Sequence, residues 1–202
     1  ERDLDIGIET TTGPLGQGFA NGVGMAIGQQ ILANKYNKPD YDLFDYKIYC
    51  ICSDGDIMEG VASEAASLAG TLKLGNMIYI YDDNRITIEG STSLAFNEDV
   101  SERFRGYGWH VQSVDDANDL EALQTAIDNA RKETTKPSLI RVRSQIGFGS
   151  PNKVDSASAH GSPLGESEVK LVKENFGFDP DKSFDISDDV LNFYRKKAAS
   201  GI

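Results

Sequence analysis

The sequence Lys47-Ile48-Tyr49-Cys50-Ile51-Cys52-Ser53-Asp54-Gly55-Asp56 joins an apolar run to an acidic end that contains glycine. The run predicts a buried strand over residues 47–52, with Asp54-Gly55 at its carboxyl end. Open α/β sheets bind ligands at the carboxyl ends of their strands, so a carboxylate and an accessible amide at this place are suited to ligand binding. An Asp-Gly pair is also common in simple turns, and the pair alone does not decide between a site and a turn.

A second apolar run, Met77-Ile78-Tyr79-Ile80-Tyr81, ends in the polar cluster Asp82-Asp83-Asn84. If the two strands are parallel neighbours, the Asp54 carboxylate and the Asn84 amide oxygen approach the same point. Oxygen ligands of this kind suit Mg²⁺, which is usually held by few protein groups and completes its shell with water and phosphate oxygens. The two strand ends therefore predict a site for a metal-bound diphosphate.

Composition limits the classes of protein to which the chain can belong. The 202 residues are 39% hydrophobic, which is enough for one domain with a substantial core. The net charge of −12 argues against general binding of nucleic acid or of anionic membranes, because both select for clustered Lys and Arg. No apolar run is long enough to span a bilayer.

The two cysteines, Cys50 and Cys52, lie two positions apart in a predicted strand, and we interpret them as reduced core residues of an intracellular protein. The stretch Glu1-Arg2-Asp3-Leu4-Asp5 lacks the pattern of a secretory signal peptide. We therefore expect a cytoplasmic protein. A targeting segment for an organelle such as a plastid would precede residue 1, so that location stays open.

Alternating strands and helices indicate the fold class. Helices are predicted over residues 17–35, with Phe19, Val23, Ile27 and Ile31 one turn apart, and over 60–74, with Val61, Ala65, Leu68 and Leu72 on one stripe. Further strands are predicted at 77–81, 109–114 and 138–143, and Asn118 with Glu121 suggests a capping box before another helix. The expected fold is α/β, a doubly wound, mostly parallel sheet with helices on both faces.

Two loops remain as candidate ligand-binding segments. Gly13-Pro14-Leu15-Gly16-Gln17-Gly18 invites a dinucleotide-fold interpretation, but no strand leads into it and Asn21 stands where the third glycine belongs. A loop that brings backbone against a phosphate or a flat ring fits better. His160 lies in a glycine-bounded loop after the strand at 138–143, where it either contacts an anionic ligand or is a solvated surface histidine.

The pair Asp54-Gly55, followed thirty positions later by Asn84, resembles the thiamin-diphosphate signature, normally Gly-Asp-Gly and then Asn. The surrounding motifs make the chain similar to transketolase, specifically its diphosphate-binding domain, from about Gly7 to Phe176. These motifs are Gly13-Pro14-Leu15-Gly16-Gln17-Gly18, Glu59-Gly60 with Glu64-Ala65, Leu68-Ala69-Gly70, Tyr81-Asp82-Asp83-Asn84, Ile86-Thr87-Ile88 and His160-Gly161-Ser162-Pro163-Leu164. Ser53 replaces the first glycine of the signature, for which we expect a small local adjustment.

The resemblance implies specific roles for these residues. Asp54, the Asn84 side chain and the main-chain carbonyl of Ile86 would bind Mg²⁺ or Ca²⁺, while Gly55 would offer its amide to the diphosphate. His160 would contact the diphosphate and the sugar near the reacting carbon, as a catalytic residue. The remaining expected positions line the cofactor (Gly13, Pro14, Leu15), flank its thiazolium ring (Ile88, Ile146) or lie at the dimer interface (Glu59, Glu64).

The activity implied by the resemblance is transfer of a two-carbon ketol unit between sugar phosphates in the pentose phosphate pathway. The chain would act as one domain of a homodimeric enzyme, with residues 178–202 as a helical extension toward a missing pyrimidine-binding domain. By itself the chain is expected to be inactive. The alternatives are dihydroxyacetone synthase, 1-deoxyxylulose-5-phosphate synthase, one subunit of a naturally split transketolase, and a non-catalytic module that keeps the fold for binding or assembly.

Overall fold

A computed structural model describes residues 8–200, and four of its strands form one parallel sheet. Spatially, the strands of this sheet run in the order β1-β2-β6-β5, and β3 and β4 form a separate antiparallel pair. The strand bounds are β1 Ile48–Ser53, β2 Met77–Asp83, β3 Ile86–Thr87, β4 Gly90–Ser91, β5 His110–Val114 and β6 Ser138–Arg143. The expectation for Glu1 to Asp5 concerns residues outside the described range.

Helices cover both faces of the sheet. Phe19, Tyr79 and Trp109 belong to the core on one face, whereas Ile78 and Ile140 belong to a second core on the other. This arrangement confirms the doubly wound α/β fold. The helices are α1 Gln17–Tyr36, α2 Asp54–Met58, α3 Gly60–Thr71, α4 Val100–Gly106, α5 Leu120–Lys132, α6 Glu166–Asn175 and α7 Asp188–Ala199.

The buried face of α1 differs from the predicted stripe. Phe19 and Val23 are buried as predicted, but Ile31 is 61% exposed. Steps of four residues turn about 40° beyond a full helical turn, so a stripe built only from such steps rotates away from the core. The core side continues instead through Ala26 and Gln29, and the Gln29 side chain accepts a hydrogen bond from Asn76 Nδ2 at 2.8 Å.

The predicted stripe on α3 is also wrong about which side faces the core. Leu68 and Leu72 are exposed, while the fully buried side chains are Ala62, Ala66 and Ala69. The methyl side chains allow α3 to lie close to α1, which leucines at those positions would prevent. The larger residues of α3 are therefore left on the surface of this chain.

The cap of α5 lies one residue later than predicted. Asp119, rather than Asn118, accepts a hydrogen bond from the backbone N–H of Ala122 at 2.9 Å. Asn118 instead donates to the Asp116 carboxylate from both its backbone and its side chain, each at 2.9 Å. Asn118 therefore stabilises the turn before α5 instead of capping that helix.

Strand β1 has a partner on one side only among the described residues. Its side chains alternate: Cys52 is buried and Cys50 partly buried on the α1 side, whereas Tyr49 and Ile51 are exposed on the other. Both thiols are free, and burial, with a smaller contribution from Asp56, raises the pKa of Cys50 to about 11. These cysteines are protonated packing residues at neutral pH.

The C-terminal part of the described chain adds little to the core. Helix α7 has no buried residue, and Val190, Phe193 and Tyr194 are exposed. Among residues 8–200, no helix has the length and apolar character needed to cross a membrane.

Candidate functional site

The candidate site is built at the carboxyl ends of β1 and β2. These strands pair in parallel with Ser53 opposite Asp82, so Asp54 and Asn84 follow strand ends at the same edge of the sheet. The residues after β1 form the short helix α2, which begins at Asp54, where the sequence suggested only a turn or a loop. The predicted parallel pairing of the two strands is therefore present.

Asp54 is a buried carboxylate held by neutral donors. Its two oxygens accept hydrogen bonds from the Tyr81 hydroxyl and from the backbone N–H of Arg85, the latter at 3.0 Å. Arg85 has the left-handed φ of 63°, uncommon for a residue with a side chain, and this turn directs its N–H at Asp54. Burial is the largest influence on Asp54 and raises the pKa of its carboxyl group.

Asn84 is fixed by hydrogen bonds at both ends of its amide. Its Nδ2 donates to Asp82 Oδ2, and its Oδ1 accepts from the Ile86 N–H, each at 2.9 Å. The Ser144 hydroxyl in turn donates to Asp82. This set of contacts determines which end of the Asn84 amide presents oxygen, and a carbonyl oxygen has a second lone pair for a further partner.

Asp83, between these residues, takes part in a different set of contacts. Its carboxylate accepts a hydrogen bond from Arg141 Nε at 2.7 Å and lies 3.6 Å from Arg85 Nε. Arg143 Nη1 donates to the Asp83 carbonyl at 2.6 Å. This cluster is not evident from the sequence motifs, although the alternation of side chains along a strand indicates that Asp82 and Asp83 point to opposite faces.

The glycine-rich turn before α1 lies against α2. Gly13, Pro14 and Leu15 are exposed, and a Leu15 methyl lies 3.3 Å from the point where a Cβ on Gly55 would stand. Gly16 donates its N–H to Asp56 Oδ1 at 2.9 Å. The structure thus brings together Leu15 and Gly55, two expected cofactor contacts that are forty positions apart in sequence.

Ile146 and His160 belong to one folded loop after β6. The Ile146 carbonyl accepts from the Asp155 N–H at 2.9 Å, and the Ala159 methyl lies 3.2 Å from where a Cβ on Gly147 would stand. His160 Nδ1 is buried and has no hydrogen-bond partner among the described residues. A buried nitrogen without a hydrogen-bond partner costs free energy, and a bound ligand could supply the partner.

A buried acid fastens the same loop to α6. Glu168 accepts hydrogen bonds from the Ser150 hydroxyl and, at 2.9 Å each, from the backbone and side chain of Asn152. These donors, Ser150 first, lower the pKa of Glu168. Both oxygens of the Glu168 carboxylate therefore have hydrogen-bond donors within the protein.

The other expected positions are on the surface of the described chain. Ile88 is 69% exposed in the turn between β3 and β4. Glu59 directly precedes α3 and Glu64 lies on it, and both are exposed. Among the hydrogen bonds and ion pairs of the described residues, none joins these three side chains to Asp54.

The oxygen groups at the two strand ends fit a hard divalent cation. Asp54 could offer a carboxylate directly after β1, and Asn84 an amide oxygen and Ile86 a main-chain carbonyl directly after β2. Within residues 8–200 no group of three or more His, Cys, Asp or Glu side chains is placed to hold a metal ion by itself. A cation here would need further oxygens from water or a phosphate, as Mg²⁺ commonly does.

Comparison with known proteins identifies the family. The family model described as "Transketolase, thiamine diphosphate binding domain" matches residues 1–202. Transketolase from a Nostoc species is 53% identical over the whole chain, and transketolase 1 from Saccharomyces cerevisiae is 51% identical over 94% of it. The chain spans 30% and 28% of the lengths of these two relatives.

Solved structures agree with this result. Transketolase from Pichia stipitis, in a complex with sedoheptulose-7-phosphate, superposes on 94% of the chain with a TM-score of 0.91 and 48% identity. Transketolase from Leishmania mexicana also gives a TM-score of 0.91, at 46% identity. In each case the match covers 28% of the solved chain. The chain therefore belongs to the transketolase family and corresponds to its thiamine diphosphate binding domain.

Proposed function

We propose that the chain is the diphosphate- and metal-binding part of an enzyme that transfers a two-carbon ketol unit. The donor would be a ketose phosphate such as xylulose 5-phosphate, and the acceptor an aldose phosphate such as ribose 5-phosphate, in the pentose phosphate pathway. The relatives are transketolases, and one solved relative is a complex with a sugar phosphate. The proposed location is the cytoplasm, which the free thiols of Cys50 and Cys52 support.

One observation carries the proposal: Asp54 is buried, and no Lys, Arg or His side chain among the described residues forms an ion pair with it. A buried carboxylate without a positive partner is costly, and the pKa of Asp54 is raised for that reason. A divalent cation would supply the missing charge. Asp54, Asn84 and the Ile86 carbonyl would hold Mg²⁺ or Ca²⁺, and Gly55 would donate its N–H to a diphosphate oxygen.

Thiamin diphosphate supplies the electron sink for cleaving and forming a carbon–carbon bond beside a carbonyl group. The chain's own residues bind and orient it. Gly13, Pro14 and Leu15 would line the cofactor, with Ile88 and Ile146 beside the thiazolium ring. Their exposed or partly exposed apolar surfaces support this role, because a flat apolar ring gains from such contacts.

His160 is the proposed catalytic residue of this chain. Its imidazole would donate a hydrogen bond to the diphosphate and to the sugar near the reacting carbon, and so position the sugar. The buried, unpartnered Nδ1 of His160 supports a role that is completed by a ligand.

The complete enzyme needs more than this chain. We propose that residues 178–202 lead toward a pyrimidine-binding domain elsewhere in the longer protein, and that Glu59 and Glu64 lie at the interface of a homodimer. The exposed apolar side chains of α7, the exposed Leu68 on α3 and the exposed Leu72 directly after α3 support these two surfaces. The chain by itself is therefore expected to show no ketol transfer.

The test uses the full-length enzyme that contains this chain. Thiamin diphosphate binding is titrated calorimetrically with and without Mg²⁺, and ketol transfer from xylulose 5-phosphate to ribose 5-phosphate is assayed on the same material. Metal-dependent binding and activity are expected, both lost in Asp54→Asn and kept in Asp128→Asn, a control on α5. Cofactor binding by Asp54→Asn equal to that of the wild type would remove the metal assignment.

The choice of acceptor separates the nearest sister activity. Ribose 5-phosphate and formaldehyde are compared as acceptors at saturating donor. Faster transfer to ribose 5-phosphate is expected, whereas a clear preference for formaldehyde would make the enzyme a dihydroxyacetone synthase. Absence of metal-dependent cofactor binding by the full-length protein would favour a non-catalytic module.

A further inference from the structure

Asp56 lies two residues beyond Asp54, and its carboxylate accepts three hydrogen bonds from two separate segments. Oδ1 accepts the Gly16 N–H at 2.9 Å, and Oδ2 accepts the Ser53 N–H at 3.0 Å and the Ser53 hydroxyl at 3.2 Å. The two segments are the turn before α1 and the end of β1. One side chain thus joins both loops that carry expected cofactor contacts.

The geometry of Gly16 makes this contact specific. Gly16 has a φ of 76°, and a Cβ at this position would meet Glu59 Cβ at 2.8 Å and Val61 Cγ1 at 2.9 Å. The backbone therefore approaches α2 and α3 as closely as a glycine permits. This close approach places the Gly16 N–H within hydrogen-bonding distance of the Asp56 carboxylate.

The position of Leu15 follows from that of Gly16. Leu15 directly precedes Gly16, and its side chain rests against the backbone of Gly55. Leu15 is 51% exposed. Without the Asp56 bond to Gly16, the turn would lose its hydrogen bond to the segment that contains Gly55.

The same contact accounts for the departure of this sequence at position 53. Ser53 replaces the glycine of the signature, and its hydroxyl donates to the carboxylate that already binds its own backbone N–H. The Ser53 hydroxyl is thus hydrogen-bonded to Asp56 and is the third donor to its carboxylate. Hydrogen bonds to a charged acceptor are among the stronger ones in proteins.

We infer that Asp56 is a positioning residue, which holds the Gly13–Gly16 turn and the junction of β1 and α2 at Ser53–Gly55 in the relative placement that the cofactor requires. The inference rests on the proposed function, since it concerns the same cofactor. It assigns to Asp56 no contact with the cofactor, the metal or the sugar. Its role is to reduce the reordering of Leu15 and Gly55 on binding.

The test measures cofactor affinity in the full-length enzyme at saturating Mg²⁺. Loss of a residue that orients a binding group commonly costs about tenfold or more in affinity, so Asp56→Ala should raise the thiamin diphosphate Kd about tenfold. At saturating cofactor, kcat should stay within about twofold, because the bound geometry is restored by the cofactor itself. Asp128→Ala, on α5, is the matched control and should leave both values unchanged.

Two further variants grade the effect and guard against a folding defect. An amide oxygen accepts only one of the two backbone N–H groups, so Asp56→Asn should give an intermediate Kd. Ser53→Gly keeps both backbone bonds and should change the Kd by less than about threefold. If Asp56→Ala does not fold, the Kd values of the other proteins test the inference. It requires that the thiamin diphosphate Kd of Asp56→Asn be higher than those of Ser53→Gly and the wild type.

A second readout does not depend on catalysis. Amide hydrogen exchange in the cofactor-free enzyme should be faster at Gly16 in Asp56→Ala, while exchange in α5 stays the same. Unchanged Kd in Asp56→Ala, or a fall in kcat with unchanged Kd, would overturn the inference while leaving the proposed function intact. Failure of the wild type itself to bind the cofactor would overturn the proposed function and this inference with it.

Discussion

The ends of β1 and β2 each carry a buried aspartate, and the two differ in how their charge is balanced. Asp83 accepts from Arg141 at 2.7 Å and has Arg85 nearby, whereas the donors to Asp54 among residues 8–200 are the Tyr81 hydroxyl and the Arg85 N–H. Both are almost inaccessible to water. The difference distinguishes a carboxylate with cationic partners from one that has none among the described residues, as the proposed metal ligand requires.

The largest expected effect separates the two aspartates by cofactor binding. Asp54→Asn should weaken metal-dependent thiamin diphosphate binding by about 100-fold or more, because an amide replaces the only carboxylate among the proposed ligands. Calorimetric titration of the full-length enzyme with Mg²⁺ measures it. The folded Asp83→Asn variant should bind thiamin diphosphate far more tightly than the Asp54→Asn variant does. The reverse order would break the comparison.

The second prediction concerns stability without cofactor. Asp83→Asn should lower the free energy of unfolding by about 2 kcal/mol, because it weakens a charge-assisted hydrogen bond and leaves Arg141 without its counter-charge. Asp54→Asn should cost less, since burial already disfavours the charged form of Asp54. Urea denaturation of the cofactor-free enzyme measures both.

A surface pair provides the control for that experiment. Glu102 and Arg105 are 2.6 Å apart but exposed, and Glu102→Gln should change the free energy of unfolding by less than about 1 kcal/mol. Equal losses in Glu102→Gln and Asp83→Asn would show that burial of the Asp83 pair has no special effect.

A smaller effect is expected from the hydroxyl that holds Asp54. Tyr81→Phe removes one of the two donors to Asp54 and should raise the Kd for thiamin diphosphate several-fold, because the carboxylate loses its fixed orientation. Tyr79→Phe is the matched control, since its hydroxyl is also buried but donates to the Phe19 carbonyl at 2.7 Å. Cofactor titration of both variants measures the difference. Equal Kd changes would indicate a general packing effect.

The smallest effect is local and concerns Glu168, a buried acid that, like Asp83, is satisfied within the protein. Its pKa is lowered from the ordinary value of 4.5, chiefly by the Ser150 hydroxyl. Because the pKa is lowered in the folded state, Glu168 contributes to the free energy of unfolding above pH 4.5. This contribution is lost as the pH falls through the lowered pKa. Glu168→Gln should remove this dependence and speed amide exchange across residues 144–165.

Exchange measured by mass spectrometry between pH 3 and pH 6 would check this point, after correction for the intrinsic pH dependence of exchange. Glu166→Gln, on the same turn of α6 but exposed, is the control. If both variants leave the loop as protected as the wild type, Glu168 has no part in fastening it.

The sequence was sufficient for the fold class and for the parallel pairing of the two strands that precede Asp54 and Asn84, because both are encoded locally. An apolar run, a following Asp-Gly and an Asn after the next run were enough to bring Asp54 and Asn84 to one edge of the sheet. The contacts that hold these residues were not predictable in this way. Arg141 lies 58 residues from Asp83, and Gly16 lies 40 residues from Asp56.

The helix faces show the same limit. Periodicity identified α1 and α3, yet it placed Ile31 and Leu68 on the core side, where the structure has Gln29 and alanines. Periodicity gives the spacing of a stripe, but which stripe is buried depends on how closely two helices pack, and that distance is set by residues on both.

The exposed edge of β1 has a practical consequence for work with this segment as a separate polypeptide. Within residues 8–200, β1 pairs with another strand of the sheet on one side only, and its exposed Tyr49 and Ile51 add an apolar surface to that edge. Such an edge is a template for intermolecular strand pairing. Purified alone at high concentration, the 202-residue polypeptide should therefore scatter light increasingly with time, and charged substitutions at Ile51 should slow that turbidity.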